Sequence, residues 1–390
     1  MATGILLANF GGPRTLEEIP LVLRDLFADP DIFQTPLGPL GQRALAEVIV
    51  RARTPKVRRA YGSIGGKSPL YEITQRQAVA LGAALKARGF DGPIAIGMRY
   101  GLPSQHQGTE ELLSQGIDRL LVVPLYPHYS LSTVGSTINE QRRVMAALGK
   151  ADLPWDIVPP FPKDAGYIQA VAATIVRTLQ RWEEARLTHN RVLMFSAHGL
   201  PQSFVDAGDP YPKQVRATVQ RVLQELGYTG QAALTFQSRV GPVEWLKPYT
   251  DEAIPEWADQ GVEGIIAVPI SFVADNLESL EEIDIEYRHL AWECGIQSFM
   301  TVPCVNDDPA FIQALADLVG RRLGRPGPIP AACTLPGRRK RSGIIGLEEY
   351  REAVRLGQPF DPYAIRVEGP WKAVRRRRGK RSIPAPEGQG

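Results

Sequence analysis

The chain has 390 residues, 44% hydrophobic and 22% charged, a composition that excludes a disordered or fibrous protein. Its 45 basic and 42 acidic side chains leave a formal charge of only +3, which argues against nucleic acid as a partner. No stretch approaches the roughly 20 apolar residues of a membrane-spanning helix, and residues 1–12 do not resemble a signal peptide. These features predict a cytoplasmic protein with a small-molecule partner.

Cysteine usage agrees with a reducing compartment. The three cysteines are Cys294, Cys304 and Cys333, and they form neither a C-x-x-C pair nor a zinc motif with neighbouring histidines. Because an iron–sulfur cluster is held by four thiolates, we expect no such cluster here.

An internal repeat organises most of the chain. Short apolar runs alternate with amphipathic stretches of helix length, the pattern of a parallel sheet with crossover helices. The run Arg119 to Pro124 corresponds to Gly264 to Pro269, 145 positions later. The predicted helix at Tyr167 to Ala172 corresponds to Phe311 to Ala316, 144 positions later. We therefore predict an α/β chain in which one fold occurs twice, with halves at 1–180 and 181–322.

The first strands also correspond, but at a larger separation. Ile5 to Asn9 leads into Gly11-Gly12-Pro13, and Val192 to Ser196 leads into His198-Gly-Leu-Pro201, so Pro13 and Pro201 are 188 positions apart. The first half therefore contains an insertion, placed at residues 15–61, which is unusually apolar. It has two interpretations, a small subsidiary core or an apolar lip over a flat hydrophobic ligand. The motifs described below favour the lip.

Residues 323–390 lie beyond the repeat. Gly324 to Gly343 has the composition of a linker, and a short helix is predicted around Leu347 to Leu356. The basic run Arg375 to Arg378, continued by Lys380 and Arg381, is typical of a solvated charged tail. The alternative is peripheral contact with anionic lipid.

Ligands of open parallel sheets bind beyond the carboxyl ends of the strands. His198 follows the first strand of the second half directly, a position that presents an imidazole to a cleft. Glu278, Glu282 and Glu286 follow the run that ends at Pro269 and recur every four residues, so they share one helix face. Asp275 and Glu278 also have the spacing of a capping box. The acidic row is therefore either a solvated face with a cap or a path for protons and cations.

The other loops at strand ends contain aromatic residues, serines and arginines. None is a phosphate-binding loop, because Gly65-Gly66-Lys67-Ser68 is preceded by Tyr61 where that motif requires glycine.

Together these motifs resemble the ferrochelatase family over roughly residues 4–320. The resemblance rests on Ser196-Ala-His198-Gly-Leu-Pro201, on Gly208-Asp-Pro-Tyr-Pro212, and on Asp275-x-x-Glu278 ahead of the acidic row. It implies two similar Rossmann-like domains with parallel four-stranded sheets and flanking helices. It also implies a lyase of haem biosynthesis that inserts Fe²⁺ into a porphyrin. Ferrous iron is then a substrate, no tightly bound cofactor is expected, and the chain is a monomer or a homodimer.

The resemblance assigns roles to individual positions. It implies that His198 and Glu278 are the catalytic and metal-binding pair, with Glu282 and Glu286 as a proton or metal relay. Asn276 departs from a histidine that many relatives carry, so an accessory metal-ligand role is not expected there. The implied porphyrin-binding residues, including two of the lip, are Phe10, Leu23, Phe27, Arg53, Tyr61, Ser68, Arg99, Tyr129, Ser130 and Phe272.

Residue types at these positions suit the reaction. Metallation displaces two pyrrole protons, and imidazole is suited to accept a proton near neutral pH. The segment Thr235 to Trp245 resembles the protoporphyrin branch of the family, and the apolar lip suits vinyl groups, so the resemblance implies protoporphyrin IX, with coproporphyrin III as the alternative substrate. A cobalt chelatase acting on sirohydrochlorin would need a more polar pocket. A porphyrin or haem carrier would need only one axial ligand, so the pair His198 and Glu278 argues against it.

Overall fold

The computed structural model describes residues 2–33, 38–325, 327 and 330–334. The helix predicted around Leu347 to Leu356 and the basic tail at 375–381 lie outside the described residues. No helix in the described ranges is both long enough and apolar enough to cross a membrane.

Two parallel four-stranded sheets form the framework, which confirms the predicted duplicated α/β fold. The first sheet, in spatial order β2-β1-β3-β4, consists of β1 (Thr3–Gly11), β2 (Ile94–Tyr100), β3 (Arg119–Pro124) and β4 (Trp155–Ile157). The second, in spatial order β6-β5-β7-β8, consists of β5 (Arg191–His198), β6 (Gln231–Gln237), β7 (Gly264–Pro269) and β8 (Ser298–Thr301). The bounds of β3 and β7 coincide with the two apolar runs that revealed the repeat.

Helices connect the strands. The α-helices of the first half and the crossover are α1 (Ile19–Ala28), α2 (Gly38–Ser63), α3 (Leu70–Lys86), α4 (Gln105–Ser114), α5 (Ser136–Ala147) and α6 (Ala165–Glu184). Those of the second half are α7 (Gln202–Asp206), α8 (Tyr211–Leu226), α9 (Thr250–Asp259), α10 (Arg288–Glu293) and α11 (Pro309–Gly324). A short 3-10 helix (Leu16–Glu18) precedes α1.

A π-helix occurs at the equivalent place in each half. The first π-helix (Leu131–Gly135) follows β3 and continues into α5, and the second π-helix (Glu278–Tyr287) follows β7 and continues into α10. Such helices have i→i+5 hydrogen bonds, are rare, and occur frequently at functional sites. The two π-helices therefore mark one edge of each sheet as the place to look for a site.

Local sequence signals explain several element boundaries. Ser104 and Gln107 form a capping box at the start of α4, with the Ser104 hydroxyl accepting from the Gln107 N–H at 3.2 Å. Helix α8 ends at Gly227, whose φ of 55° lies in the left-handed region that glycine adopts without strain.

The halves share one hydrophobic core. The largest buried cluster contains Ile5 and Leu121 of the first sheet together with Leu193 and Val268 of the second. Helix α11 packs on α6 and also on α3 of the first half, so the last helix of the repeat closes against the first half. This shared packing gives the two sheets a fixed relation to each other. The limits 1–180 and 181–322 remain a prediction from the repeat.

The insertion folds mainly as two packed helices, α1 and α2. Leu23 and Phe27 are buried between them, in a small cluster that also includes Val50, Tyr61 and the partly buried Leu277 of the second half. The subsidiary core that the sequence allowed is therefore present. Because it reaches Leu277, beside Glu278, the insertion also borders the end of the second sheet.

Candidate active site

His198 is the last residue of β5, and its backbone is held on both sides. Its N–H donates to the Ser271 hydroxyl at 2.9 Å, and its carbonyl accepts from the Tyr211 hydroxyl at 2.9 Å. Burial of β5 up to Ala197 fixes the strand itself. The imidazole therefore projects from an immobilised main chain at the carboxyl edge of the second sheet.

The His198 ring has a defined orientation. Its Nδ1 lies 2.6 Å from the Gly199 carbonyl oxygen, and because a carbonyl only accepts, Nδ1 carries the hydrogen of that bond. In the neutral ring Nε2 then has a free lone pair. The rings of Phe272 and Trp245 lie on either side, with centroids 6.4 and 6.5 Å away. This arrangement leaves one basic nitrogen available within an aromatic surround.

The second π-helix is capped by residues other than the predicted pair. Asn276 Oδ1 accepts from the Ser279 N–H at 2.9 Å, and the Ser279 hydroxyl accepts from the Asn276 N–H at 3.0 Å. Asp275 instead accepts from the Cys304 N–H at 3.1 Å and from the Asn306 amide at 2.7 Å. The interpretation of Asp275 and Glu278 as a capping box is therefore wrong. The reason is that the helix begins one residue later, which leaves the Glu278 carboxyl free of a capping role.

Glu278 is near enough to His198 for the charge of the imidazole to act on its carboxyl. Burial is the largest influence on the carboxyl and raises the pKa of Glu278, an effect that the charge of His198 offsets only in part. The negative charge of Glu282 adds to the rise. A carboxyl in such surroundings exchanges a proton more readily near neutral pH than an ordinary glutamate does.

Glu282 is anchored, whereas Glu286 is exposed. The Glu282 carboxylate accepts from the Ser238 N–H and from the Tyr287 hydroxyl, each at 2.8 Å, and also from the Ser238 hydroxyl. Glu282 and Glu286 together line an open polar cavity of about 300 Å³. The row that the sequence placed on one helix face thus leads from the partly buried Glu278 to the exposed Glu286.

Glu281 is an acidic residue that sequence reasoning missed. Burial, followed by the charges of Glu286 and Glu282, raises the pKa of Glu281 to about 7. Lys56 of the insertion lowers it in part, so this side chain is near the lip. The four-residue periodicity gave no signal for it, because Glu281 lies outside the row.

Tyr61 and Ser68 form one wall on the first half. Their side chains are hydrogen-bonded, and the charge of Glu278 contributes to raising the pKa of Tyr61, after burial. Gly12 packs directly on them, since a Cβ there would lie 2.7 Å from Ser68 Oγ. Phe10 lies near this wall. It packs on Leu70 and Ile73 of the first half and on Ala274 of the second half. The predicted residues of the β1 end, the insertion and the loop after it are thus brought to the cleft of His198 and Glu278.

Arg99 has an internal partner. Its guanidinium donates to the fully buried Asp29 carboxylate at 2.5 Å, and the hydroxyls of Tyr100 and Ser136 donate to the same oxygen at 2.5 and 2.6 Å. Burial alone would raise the pKa of Asp29, but Arg99 and these donors outweigh it and lower the pKa. The pair therefore joins the end of α1 to β2 and α5.

Arg53, on α2, differs from Arg99. Its guanidinium carbon lies 5.8 Å from the centroid of the Phe27 ring, and burial lowers the pKa of Arg53. Among the described residues no carboxylate is paired with it. A partly desolvated cation in this position suits an anionic group of a ligand.

Tyr129 and Ser130 line the junction of the halves. The Ser130 hydroxyl and the Leu131 N–H donate to Asp209 at 2.9 and 2.8 Å, and the Tyr129 N–H donates to the Gln214 amide oxygen at 2.7 Å. Asp209 belongs to the Gly208 to Pro212 motif, so that motif holds both the first π-helix and, through Tyr211, His198. The motif was visible in the sequence, but these contacts were not.

The fold and the site first define a class, a duplicated α/β protein with an imidazole and a partly buried carboxyl that influence each other electrostatically at the end of one sheet. Within the described residues no three His, Cys, Asp or Glu side chains converge into a group able to hold a metal ion.

The model of the ferrochelatase family matches residues 2–323. The chain is 44% identical over 327 residues to the ferrochelatase of Synechococcus elongatus, with 83% of each chain covered. It is 43% identical over 326 residues to the chloroplastic ferrochelatase-2 of Cucumis sativus, covering 81% of this chain and 62% of that protein. The chain therefore belongs to the ferrochelatase family. Membership implies a metal chelatase whose substrates are iron and a porphyrin.

A solved structure of SirB from Bacillus subtilis with Fe³⁺ is also similar in fold. The TM-score is 0.48 at 14% identity, with 83% of this chain and 96% of that chain covered.

Proposed function

We propose that this enzyme inserts Fe²⁺ into protoporphyrin IX to form protohaem, with release of two protons, in haem biosynthesis. One observation carries the proposal: the Nε2 lone pair of His198 and the partly buried carboxyl of Glu278 share a cleft lined by aromatic side chains. A reaction that replaces two N–H protons by a cation needs two proton acceptors on one site. These two side chains provide them.

The proposed reaction releases two protons. Two pyrrole N–H bonds break, their electron pairs bind the iron, and two protons leave. Nε2 of His198 is the acceptor for one proton, and the Glu278 carboxyl is the acceptor for the other. From Glu278 the row through Glu282 leads to Glu286, which is exposed at the polar cavity and can pass protons to solvent.

The first half supplies binding. We propose that Phe10, Tyr61 and Ser68 contact the porphyrin, and that Leu23 and Phe27, which pack in one cluster with Tyr61, stiffen the lip there. Binding of the porphyrin edges stabilises a distorted ring whose nitrogen lone pairs are accessible, at a strain of about 1–5 kcal/mol. The roles of Tyr129, Ser130 and Phe272 as further contacts belong to the same proposal.

The choice of protoporphyrin IX is supported by the arginines. Arg99 is already neutralised by Asp29, which leaves Arg53 as the cation among the proposed porphyrin contacts without a carboxylate partner in the described part of the chain. Coproporphyrin III carries four propionates and would need more cations than protoporphyrin IX, which carries two. The apolar lip suits the two vinyl groups that protoporphyrin IX has in place of two of those propionates.

The test is an anaerobic assay of Fe²⁺ insertion into both porphyrins, followed by the loss of free-porphyrin fluorescence. We expect kcat/KM for protoporphyrin IX to exceed that for coproporphyrin III by at least about 10-fold, the effect of roughly 1.4 kcal/mol. The reverse preference would assign the enzyme to coproporphyrin III. Tight haem binding without metallation would identify a carrier.

The substitution Arg53→Leu tests the proposed contact between Arg53 and a propionate of the porphyrin. We expect a rise in the porphyrin KM of about 10-fold with little change in kcat, because a propionate contact contributes to binding alone. Arg51→Leu is the matched control, since Arg51 is an exposed residue of the same helix. Equal effects of the two substitutions would contradict a propionate contact at Arg53.

We infer further that the enzyme works in the cytoplasm. The three cysteines are free thiols, as a reducing compartment maintains them. Activity recovered in a membrane fraction after high-salt washing would contradict this placement.

A further inference from the structure

A short segment beyond the duplicated fold returns to the first half. In residues 330–334 Cys333 is half-buried, while Ala331, Ala332 and Thr334 are exposed. The segment is held by its backbone. The Arg142 guanidinium donates to the Pro330 carbonyl at 2.7 Å, and Asn139 binds both backbone groups of Cys333.

Asn139 is a junction of three hydrogen bonds. Its Oδ1 accepts from the Cys333 N–H at 2.7 Å, and its Nδ2 donates to the Cys333 carbonyl at 2.9 Å. The same Nδ2 donates to the Asp31 carboxylate at 2.9 Å. Because an amide nitrogen has two hydrogens, both partners are bound at once. Asn139 therefore joins the returning segment to the insertion.

Asp31 belongs to the loop that attaches the lip. Its N–H donates to Asp29 Oδ1 at 2.9 Å, and the other oxygen of Asp29 is the buried acceptor of Arg99, Tyr100 and Ser136. This loop follows α1 directly, so its position fixes the end of α1. The contacts of Asn139 and Asp29 together determine how the lip is held to the first sheet.

Cys333 also lies against the first π-helix. Its side chain is hydrogen-bonded to Tyr129, and a Cβ at Gly135 would lie 3.3 Å from the Tyr129 hydroxyl and 3.4 Å from Cys333 Cβ. Gly135 thus leaves the space in which these two side chains meet. The segment contacts the lip attachment and the Tyr129 wall simultaneously.

We propose that residues 330–334 are a positioning strap of the porphyrin pocket, acting through Asn139 on the lip and through Cys333 on Tyr129. The proposal rests on the proposed function, since it takes the lip and Tyr129 as porphyrin contacts. The strap touches neither His198 nor Glu278, which lie at the end of the other sheet. Loss of the strap therefore weakens porphyrin binding and leaves the chemical step unchanged.

The experiment uses full-length variants. Asn139→Ala breaks the contacts to both the strap and Asp31, whereas Cys333→Pro removes the N–H that donates to Asn139 and the thiol that contacts Tyr129, and leaves the bond between Asn139 and Asp31 in place. Arg142→Ala is a milder variant that removes the Pro330 contact alone. Arg177→Ala is the control, because its 2.7 Å bond to Asp308 also joins distant parts of the chain but lies outside the strap.

Three measurements separate the outcomes: kcat and KM for protoporphyrin IX, the porphyrin Kd from fluorescence without metal, and hydrogen exchange of the α1 amides. We expect Asn139→Ala and Cys333→Pro to raise KM and Kd by about 10-fold, to keep kcat within about 2-fold, and to accelerate α1 exchange. Arg142→Ala should do the same to a smaller extent, and Arg177→Ala should change none of them.

Unchanged KM, Kd and α1 exchange in Cys333→Pro would overturn the strap, even if Asn139→Ala had an effect. A fall in kcat at constant KM would also overturn it. If the wild-type protein binds no porphyrin, the proposed function fails, and α1 exchange still reports whether the strap holds the lip.

Discussion

The two halves have the same framework but carry chemically different side chains at equivalent positions. In the first sheet Ala8 pairs with Pro124, and in the second Ser196 pairs with Pro269, so Phe10 is the counterpart of His198. Nine residues after those prolines, Thr133 is the counterpart of Glu278. A phenyl ring and a hydroxyl thus stand where the other half has a base and a carboxyl. At these two positions the second half therefore has an imidazole and a carboxyl, whereas the first half has side chains without acid–base groups.

The two π-helices also differ in length and in charge. The first is five residues long and uncharged, whereas the second is ten residues long and contains Glu278, Glu281, Glu282, Asp284 and Glu286. In the first half the buried Asp29 is paired with Arg99. In the second half burial raises the pKa of Glu278 and of Glu281. We therefore propose that the first half serves porphyrin binding and the second half proton transfer, and substitutions at paired positions test this proposal.

The largest effect is expected at Glu278. Glu278→Gln should lower the rate of metallation by about 10⁴-fold, the upper end of the range for a positioned proton-transfer group, because an amide cannot take up a proton at neutral pH. Since Glu278 does not cap its helix, stability should change by no more than about 0.5 kcal/mol. Thr133→Val, the counterpart in the first half, is the control and should leave the rate within about 2-fold. Metallation at the wild-type rate in Glu278→Gln would remove this residue from the mechanism.

The second-largest effect is expected from His198→Ala. Loss of the Nε2 acceptor should reduce kcat by about 10³-fold while the porphyrin Kd stays unchanged. Phe10→Leu changes the equivalent position of the first half. It should raise the porphyrin Kd and leave kcat unchanged, because Phe10 is proposed to contact the porphyrin. Stopped-flow metallation and fluorescence titration measure the two quantities. A kcat loss of similar size in both variants would contradict the division between the halves.

Tyr211→Phe should have a smaller effect on the same histidine. It removes the hydroxyl that donates to the His198 carbonyl, a bond worth about 0.5–1.5 kcal/mol, and we expect kcat to fall by about 3–10-fold with KM unchanged. Tyr228→Phe is the matched control, since that hydroxyl lies remote from His198, 3.5 Å from the Gln231 carbonyl. An unchanged kcat in Tyr211→Phe would show that Ser271 alone is enough to hold the strand end.

The smallest effect concerns the pH dependence of stability at Glu281. Its pKa of about 7 in the folded protein exceeds the ordinary value of 4.5, so the folded state holds the proton more tightly. The stability that this provides is present below pH 4.5 and is lost as the pH rises to about 7. Glu281→Gln should therefore raise Tm at pH 8 by on the order of 1–2 °C, a modest amount because the side chain is partly exposed.

The gain from Glu281→Gln should shrink as the pH is lowered toward 5. Glu293→Gln, an exposed control on α10, should give no such pH-dependent difference. Parallel Tm curves for wild type and Glu281→Gln would contradict a raised pKa at Glu281.

By itself the sequence determined the duplicated parallel sheets, because buried parallel strands require continuous apolar runs, and Arg119 to Pro124 recurs as Gly264 to Pro269. It also placed His198 and the acidic row at strand ends, since side chains there face a cleft in any open parallel sheet. Only the tertiary structure decided which partners those side chains have. The helix start moved from Asp275 to Asn276, Arg99 was bound by Asp29, and residues 330–334 returned to Asn139. Asp275 was drawn from the cap by Cys304 and Asn306, and the contacts of Arg99 and of residues 330–334 also join atoms far apart in the chain, about which local patterns contain no information.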